Sequence, residues 1–203
     1  MIKSIIKIIV PNRTQRFICQ LLRLMEHRAN KNKSAEDIFT EIYQHNRWGG
    51  EKGEFNSGSG STDPDIVCKY IATIEYILNR EGIHNPVLVD LGCGDFRVGS
   101  KLLPLCKEYI GVDIVQPIIH VNQKQYGNST TTFLNINIID DDLPSGDICT
   151  VRQVLQHLSN AQITKILNKL TKFDYVFITE HYPPDSDKPS FNRQNTWQRH
   201  QDL

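Results

Sequence analysis

The stretch "PVLVDLGCGDFRVG", residues 86–99, decides the fold. Its first half, Val87 to Leu91, is a short apolar run of the kind that forms a strand buried on both faces of a parallel sheet. An acid, Asp90, interrupts that run one residue before it ends. Gly92 and Gly94 follow, and glycines there permit a tight turn and let the backbone approach a ligand with no Cβ in the way.

Working outward, short apolar runs alternate with amphipathic segments. "FRVGSKLLPLCKE" reads as a helix containing a proline, "YIGVDIV" as the second strand, "PIIHVNQKQYG" as a helix and "TTTFLNINI" as the third strand. "DICTVRQVL" is a fourth strand running into a loop. "SNAQITKILNKLTK" is a helix opened by a Ser159-x-x-Gln162 capping box, and "DYVFITE" is the fifth strand. Such alternation predicts an α/β, Rossmann-like, doubly wound and mostly parallel sheet with strand order 3-2-1-4-5. Upstream, Ser34 caps a helix bearing Ile38, Ile42 and Tyr43. Thr62-Asp63-Pro64 opens another, whose apolar face is Ile66, Tyr70, Ile74, Ile77 and Leu78. The expected organisation is a helical arm with a glycine-rich lid over residues 1–62 and a catalytic domain over 63–203.

Ligands of open parallel sheets bind beyond the carboxyl ends of the strands, where strand order reverses. Asp113, twenty-one residues after Gly92, ends the second strand, where a carboxylate can accept hydrogen bonds from both ribose hydroxyls. A nicotinamide dinucleotide gives a similar outline. Its fingerprint needs a third glycine three residues after the second, and here that position is Arg97; Asp90 would repel a diphosphate and attract a cation. A nucleoside with an ammonium, a ribose and an adenine but no phosphate suits these features, which selects S-adenosylmethionine.

"VDLGCGDFRVG" with "YIGVDIV", and "LPSGDICTVRQVLQHLSN" further on, resemble the corresponding motifs of class I S-adenosylmethionine-dependent methyltransferases, over about residues 87–180. The resemblance implies that Asp90 orients the methionine amine, Gly92 and Gly94 make room for the methionine chain, Asp113 holds the ribose and Ile114 packs on the adenine. Two positions depart from the pattern. Asn137 stands where an acid commonly meets the adenine amine, and its amide oxygen retains the acceptor. Gln153 stands where an acid often follows strand four.

Arg47 to Pro64 carries five of the twelve glycines. Trp48-Gly49-Gly50 and the run Ser57 to Thr62 resemble a segment preceding the fold in a bacterial branch of the family. The segment reads as a lid, with Trp48 as apolar cover and glycine amides as donors to the methionine carboxylate; a flexible linker is the competing reading, and it has no use for Trp48 and Phe55. His157, Glu180 and His181 fall in loops on the acceptor side and are the candidate catalytic groups, a histidine being suited to proton removal near neutrality. For His157 a packing role competes with catalysis. "HYPPD" follows strand five, not strand four, so the Pro-Pro-aromatic motif of nucleic-acid amino methyltransferases is rejected. The expected acceptor is a small molecule or glycan. A methyltransferase-like subunit without activity is the alternative, and a nicotinamide-dependent oxidoreductase ranks third.

Residues 1–33 hold eight Lys and Arg against Glu26 alone, a charge of +7, while the 203-residue chain sums to zero. The remainder is therefore acidic, which argues against a nucleic-acid partner. Ile2, Ile5, Ile6 and Ile9, then Phe17, Ile18, Leu21, Leu22 and Met25, share helical faces in this basic arm. The arm would suit peripheral contact with an anionic membrane, although packing on the domain is the commoner use of such stripes. Lys7 interrupts the apolar start, so neither a signal peptide nor a membrane span is expected. Five cysteines without C-x-x-C spacing predict no metal site and no disulfide framework, and a cytoplasmic setting. The 23 residues after Glu180 show no strand alternation, so the antiparallel strands that close the family fold are expected to be missing. That would leave a sheet edge open to pairing with another chain.

Overall fold

Side-chain caps set the helix starts. In the computed structural model, which describes residues 33–51 and 53–180, Ser34 caps α1 (Ala35–Gln44) through a reciprocal capping box with Asp37. Asp63 accepts from the N–H groups of Asp65 and Ile66 to start α3 (Pro64–Arg80), after the single turn of α2 (Ser59–Thr62). Pro64 sits in the first turn of α3, where its missing N–H costs nothing. The Ser159–Gln162 box read from the sequence opens α5 (Asn160–Leu170). The basic arm, its suggested membrane contact and His181 lie outside the described residues.

Five strands, β1 (Val87–Leu91), β2 (Glu108–Asp113), β3 (Thr131–Asn135), β4 (Ile148–Arg152) and β5 (Tyr175–Thr179), form one sheet in the order β3-β2-β1-β4-β5. Every pairing is parallel, and the order is the one expected. Among the described residues β5 is an edge, and Ile178 on it is 45% exposed.

Strand side chains alternate between two faces, and each face has its own apolar cluster. Leu88, Tyr109, Phe133 and Ile148 pack with Tyr43 of α1, with Tyr70, Ile74 and Leu78 of α3, and with Ile118 of α4 (Gln116–Tyr126). Val89, Leu91, Val112, Cys149 and Val151 pack on the other side with Ile166 and Leu170 of α5. By this alternation Asp90, Asp113, Thr150 and Arg152 belong to the face covered by α1 and α3.

Three local readings change. "FRVGSKLLPLCKE" is not one helix but two short 3-10 turns, Gly99–Lys101 and Leu103–Leu105. Pro104 cannot donate and its ring clashes with the carbonyl four residues back, while Phe96 upstream takes a left-handed conformation with φ +62°. β3 stops at Asn135, whose side-chain amide turns back to donate to the carbonyls of Asp113 and Ile114. On α3 the buried stripe is Val67, Tyr70, Ile74 and Leu78, which leaves Ile66 48% exposed. Tyr70, Ile74 and Leu78 remain in the stripe, and Val67, three residues before Tyr70, is buried in place of Ile66.

Leu88 is fully buried in the central strand. Leu88→Ala should cost about 2–5 kcal/mol through lost burial and the cavity left behind, and Ile178→Ser at the edge should change stability by less than about 0.5 kcal/mol. Urea unfolding midpoints of the two variants against the parent check the contrast.

Candidate active site

At the carboxyl edge of β1, β2 and β4 lies a cavity of about 670 Å³. Asp90 forms part of its floor and is buried. A buried carboxylate needs donors, and two arrive from the neighbouring strands. The Tyr109 hydroxyl donates to Oδ2 at 2.6 Å and the Thr150 hydroxyl to Oδ1 at 2.6 Å. Burial raises the carboxyl above its ordinary range, and these two hydrogen bonds, then the Arg152 charge, pull against it.

Asp113 ends β2 beside it. Its Oδ2 accepts the Gly94 N–H at 3.0 Å and its Oδ1 the Val115 N–H at 3.0 Å. Burial pushes this carboxyl up to about 6 against those hydrogen bonds. Each oxygen of a carboxylate has two acceptor positions, so the Gly94, Val115 and Ile114 N–H groups leave capacity for a ligand. Gly92 and Gly94 have φ of +80° and +53°, and a Cβ on them would collide with Val154 and with Ser57 Oγ respectively. Asn122 of α4 holds the turn by donating to the Gly94 carbonyl at 2.8 Å.

The glycine-rich segment is bound to this turn. Ser57 N–H donates to Asp95 Oδ2 at 3.1 Å while Asp95 N–H donates to Ser57 Oγ at 3.0 Å, a reciprocal pair spanning 38 residues. Tyr43 reaches the same Ser57 hydroxyl at 3.2 Å. Trp48 lines the cavity and packs on Tyr43, with ring centroids 5.1 Å apart, and on His157 at 5.4 Å. These contacts tie the glycine-rich segment to the turn after β1 and to the rings that line the cavity. The glycine amides are less available than the sequence suggests: Gly58 N–H is spent on Asn56 Oδ1 and Gly49 N–H on the Asn46 carbonyl.

Ile114, Asn137, Gln153 and His157 also line the cavity. Asn137 Oδ1 already accepts the Ile139 N–H at 3.0 Å, with one lone pair remaining. Gln153 is held left-handed at φ +55°, a strained conformation for a residue with a Cβ and one that concentrates at functional sites. Its amide lies so close to Gly60 that a Cβ there would collide with it. His157 is buried between the rings of Trp48 and Phe39. Glu180 does not line the cavity. Its carboxylate accepts the N–H groups of Val154, Leu155 and Gln156 at 3.0, 2.8 and 3.1 Å, and so fixes the loop that carries Gln153 and His157.

Tyr109, Thr150, Ser57 and Arg152 were not singled out by sequence reasoning. The first three are ordinary residues in strands and loops and carried no signal. Arg152 did carry one, a charge at the carboxyl end of an otherwise apolar buried strand.

Among the described residues there is no cluster of ligating side chains suited to a metal ion and no helix long and apolar enough to cross a membrane.

Residues 89–177 match a family described as a methyltransferase domain. No curated protein matches the chain significantly. Among solved structures, a Burkholderia thailandensis 1,6-didemethyltoxoflavin-N1-methyltransferase aligns with TM-score 0.51 and 17% identity, over 68% of this chain and 55% of that one. A Leishmania major S-adenosylmethionine-dependent methyltransferase gives 0.50 and 14%, over 57% and 51%. The N-methyltransferase NodS from Bradyrhizobium japonicum WM9 gives 0.47 and 18%, over 58% and 62%. The chain thus spans between half and two thirds of these relatives. Sheet order, glycine turn and family match agree: over residues 89–177 the chain is similar to a methyltransferase domain.

Proposed function

We propose that the protein binds S-adenosylmethionine in this cavity and transfers its methyl group to a small-molecule or glycan-type acceptor by in-line displacement. The observation that carries the reading is the pair of buried carboxylates, Asp90 and Asp113, on one face of the sheet beside a glycine turn that a Cβ would block. The donor set fits the group. Two acids near a tight turn repel a diphosphate and accept from ribose hydroxyls and an ammonium. When bound, the cofactor supplies an electrophilic methyl group on a sulfonium.

The chain's own residues then have three tasks. Asp113 would hold the ribose hydroxyls through its remaining acceptor positions, and Asp90, stiffened by Tyr109 and Thr150, would orient the amine. Phe39, Tyr43 and Trp48 would exclude water above the reacting centre, and most of the acceleration in such a displacement comes from exclusion and positioning. His157 would take a proton from an acceptor hydroxyl or amine. Glu180 supports that reading as a positioning group: it lies outside the cavity, and three backbone N–H groups take up most of its acceptor positions. The size of the cavity, about 670 Å³ to be shared with the cofactor, favours a small acceptor. One structure of the same fold, the Burkholderia enzyme, is named for 1,6-didemethyltoxoflavin.

Calorimetric titration with S-adenosylmethionine, S-adenosylhomocysteine and NAD tests the reading. The two adenosyl amino acids should bind and NAD should not; NAD binding alone would overturn it. Affinity should also follow the ionisation of Asp113. The ionised carboxylate is the acceptor, so binding is full above a pH of about 6 and weakens as pH falls through that value. S-adenosylhomocysteine should bind about tenfold more weakly at about pH 5 than at about pH 7.5, and Asp113→Ala should flatten the profile. Glu180→Gln, with one acceptor oxygen where three N–H groups converge, should lower stability by about 1–3 kcal/mol in thermal or urea unfolding.

A further inference from the structure

Arg152 stands at an unusual place. It ends β4 two residues beyond Thr150, whose register partner is Asp90, so it occupies the same sheet face about 6.6 Å further toward the carboxyl edge. It lines the cavity with Asp90. Among the described residues no ion pair joins it to an acid, and its Nε is buried without a hydrogen-bond partner. Burial lowers its pKa, with Tyr70, Asp90 and Glu180 acting the other way.

The guanidinium is nevertheless held. Nη2 donates to the Gly60 carbonyl at 2.6 Å, Nη1 to Ser61 Oγ at 3.5 Å, and the Tyr70 ring lies 5.2 Å from Cζ. Fixing a long side chain costs rotamer entropy, and burying part of a cation without an anion costs more. An anion that arrives with the ligand would offset both.

We infer that Arg152 is the counter-ion of the methionyl carboxylate of the adenosyl amino acid, with Asp90 as the counter-ion of its ammonium. The inference rests on the cofactor reading above and assigns a residue that reading left open. An α-amino acid is a zwitterion whose two charged groups sit on one carbon. A carboxylate and a guanidinium on one sheet face, close enough to feel each other's charge but not paired, are complementary to it. The alternative donors, the amides of Gly49 and Gly58, are already used within the lid. The other arginine lining the cavity, Arg47, is exposed. Because Arg152 also grips Gly60, the carboxylate and the lid meet at a single side chain.

The test compares two nucleosides on the full chain by calorimetry. One is S-adenosylhomocysteine. The other is 5′-deoxy-5′-(3-aminopropylthio)adenosine, which keeps the amine and lacks the carboxylate. The parent protein should prefer S-adenosylhomocysteine. Arg152→Gln should weaken it by about 10- to 100-fold while leaving the decarboxylated analogue within about twofold; the retained analogue binding doubles as the check that the variant folds. Arg152→Lys, which keeps a charge but loses the fork, should fall between, and Arg47→Gln should change neither. Equal loss of both nucleosides in Arg152→Gln and Arg152→Lys would overturn the inference, since Arg152 would then only hold the lid. So would discrimination that follows Arg47. If the parent binds both nucleosides equally, the inference falls and the cofactor reading stands; if it binds neither, the cofactor reading falls with it.

Discussion

A carboxylate set into a buried strand must find hydrogen-bond donors or lose its charge, and Asp90 is the residue on which this protein meets that constraint. Its donors are hydroxyls from the strands on either side, Tyr109 of β2 and Thr150 of β4. The acid therefore fixes more than itself. It ties the three central strands together at the level where the chain turns at Gly92, and it makes one sheet face polar just where the apolar core of Leu88 and Ile148 stops. Tyr109 is committed by this arrangement: Gly99 must be a glycine, since a Cβ would collide with the Tyr109 hydroxyl.

The second organising contact is longer in range. Ser57 and Asp95 exchange hydrogen bonds between the glycine-rich segment and the residue after the Gly92–Gly94 turn. Arg152 bonds the Gly60 carbonyl from the end of β4, so the segment is tied both to the turn after β1 and to β4. Trp48 packs on Phe39 and Tyr43, and the Trp48 and Phe39 rings meet His157. Glu180 acts on the loop after β4. By collecting three backbone N–H groups it holds that loop in a conformation that includes a left-handed Gln153.

Much of the fold was legible in the residues themselves. Alternating short apolar runs and amphipathic segments specify a parallel sheet with helical connections, since only buried strands tolerate runs such as Val87–Val89 and Ile148–Val151. Ser34, Asp63 and Ser159 announce helix starts because a cap is a local hydrogen bond, and local chemistry is written in adjacent residues. The same locality explains the site residues that could be read. Asp90, Gly92, Gly94 and Asp113 lie at strand ends and in a turn whose geometry their own types dictate. Where the sequence misled, a local effect was outweighed: Pro104 broke a helix that periodicity suggested, and β3 ended early because Asn135 bonds back to β2.

Tertiary structure alone decided the partners. Nothing near Tyr109 or Thr150 in sequence says that both point at Asp90, 19 and 60 residues away; strand order and pleat phase bring them together. Nor does the sequence say that Glu180, which ends a strand as a base would, spends its carboxylate on backbone amides, or that Arg152 reaches across 92 residues to Gly60. The physical reason is common to all of them. Residue type and spacing fix what a short segment becomes, whereas the direction and satisfaction of a buried polar group depend on which distant segment the sheet places beside it.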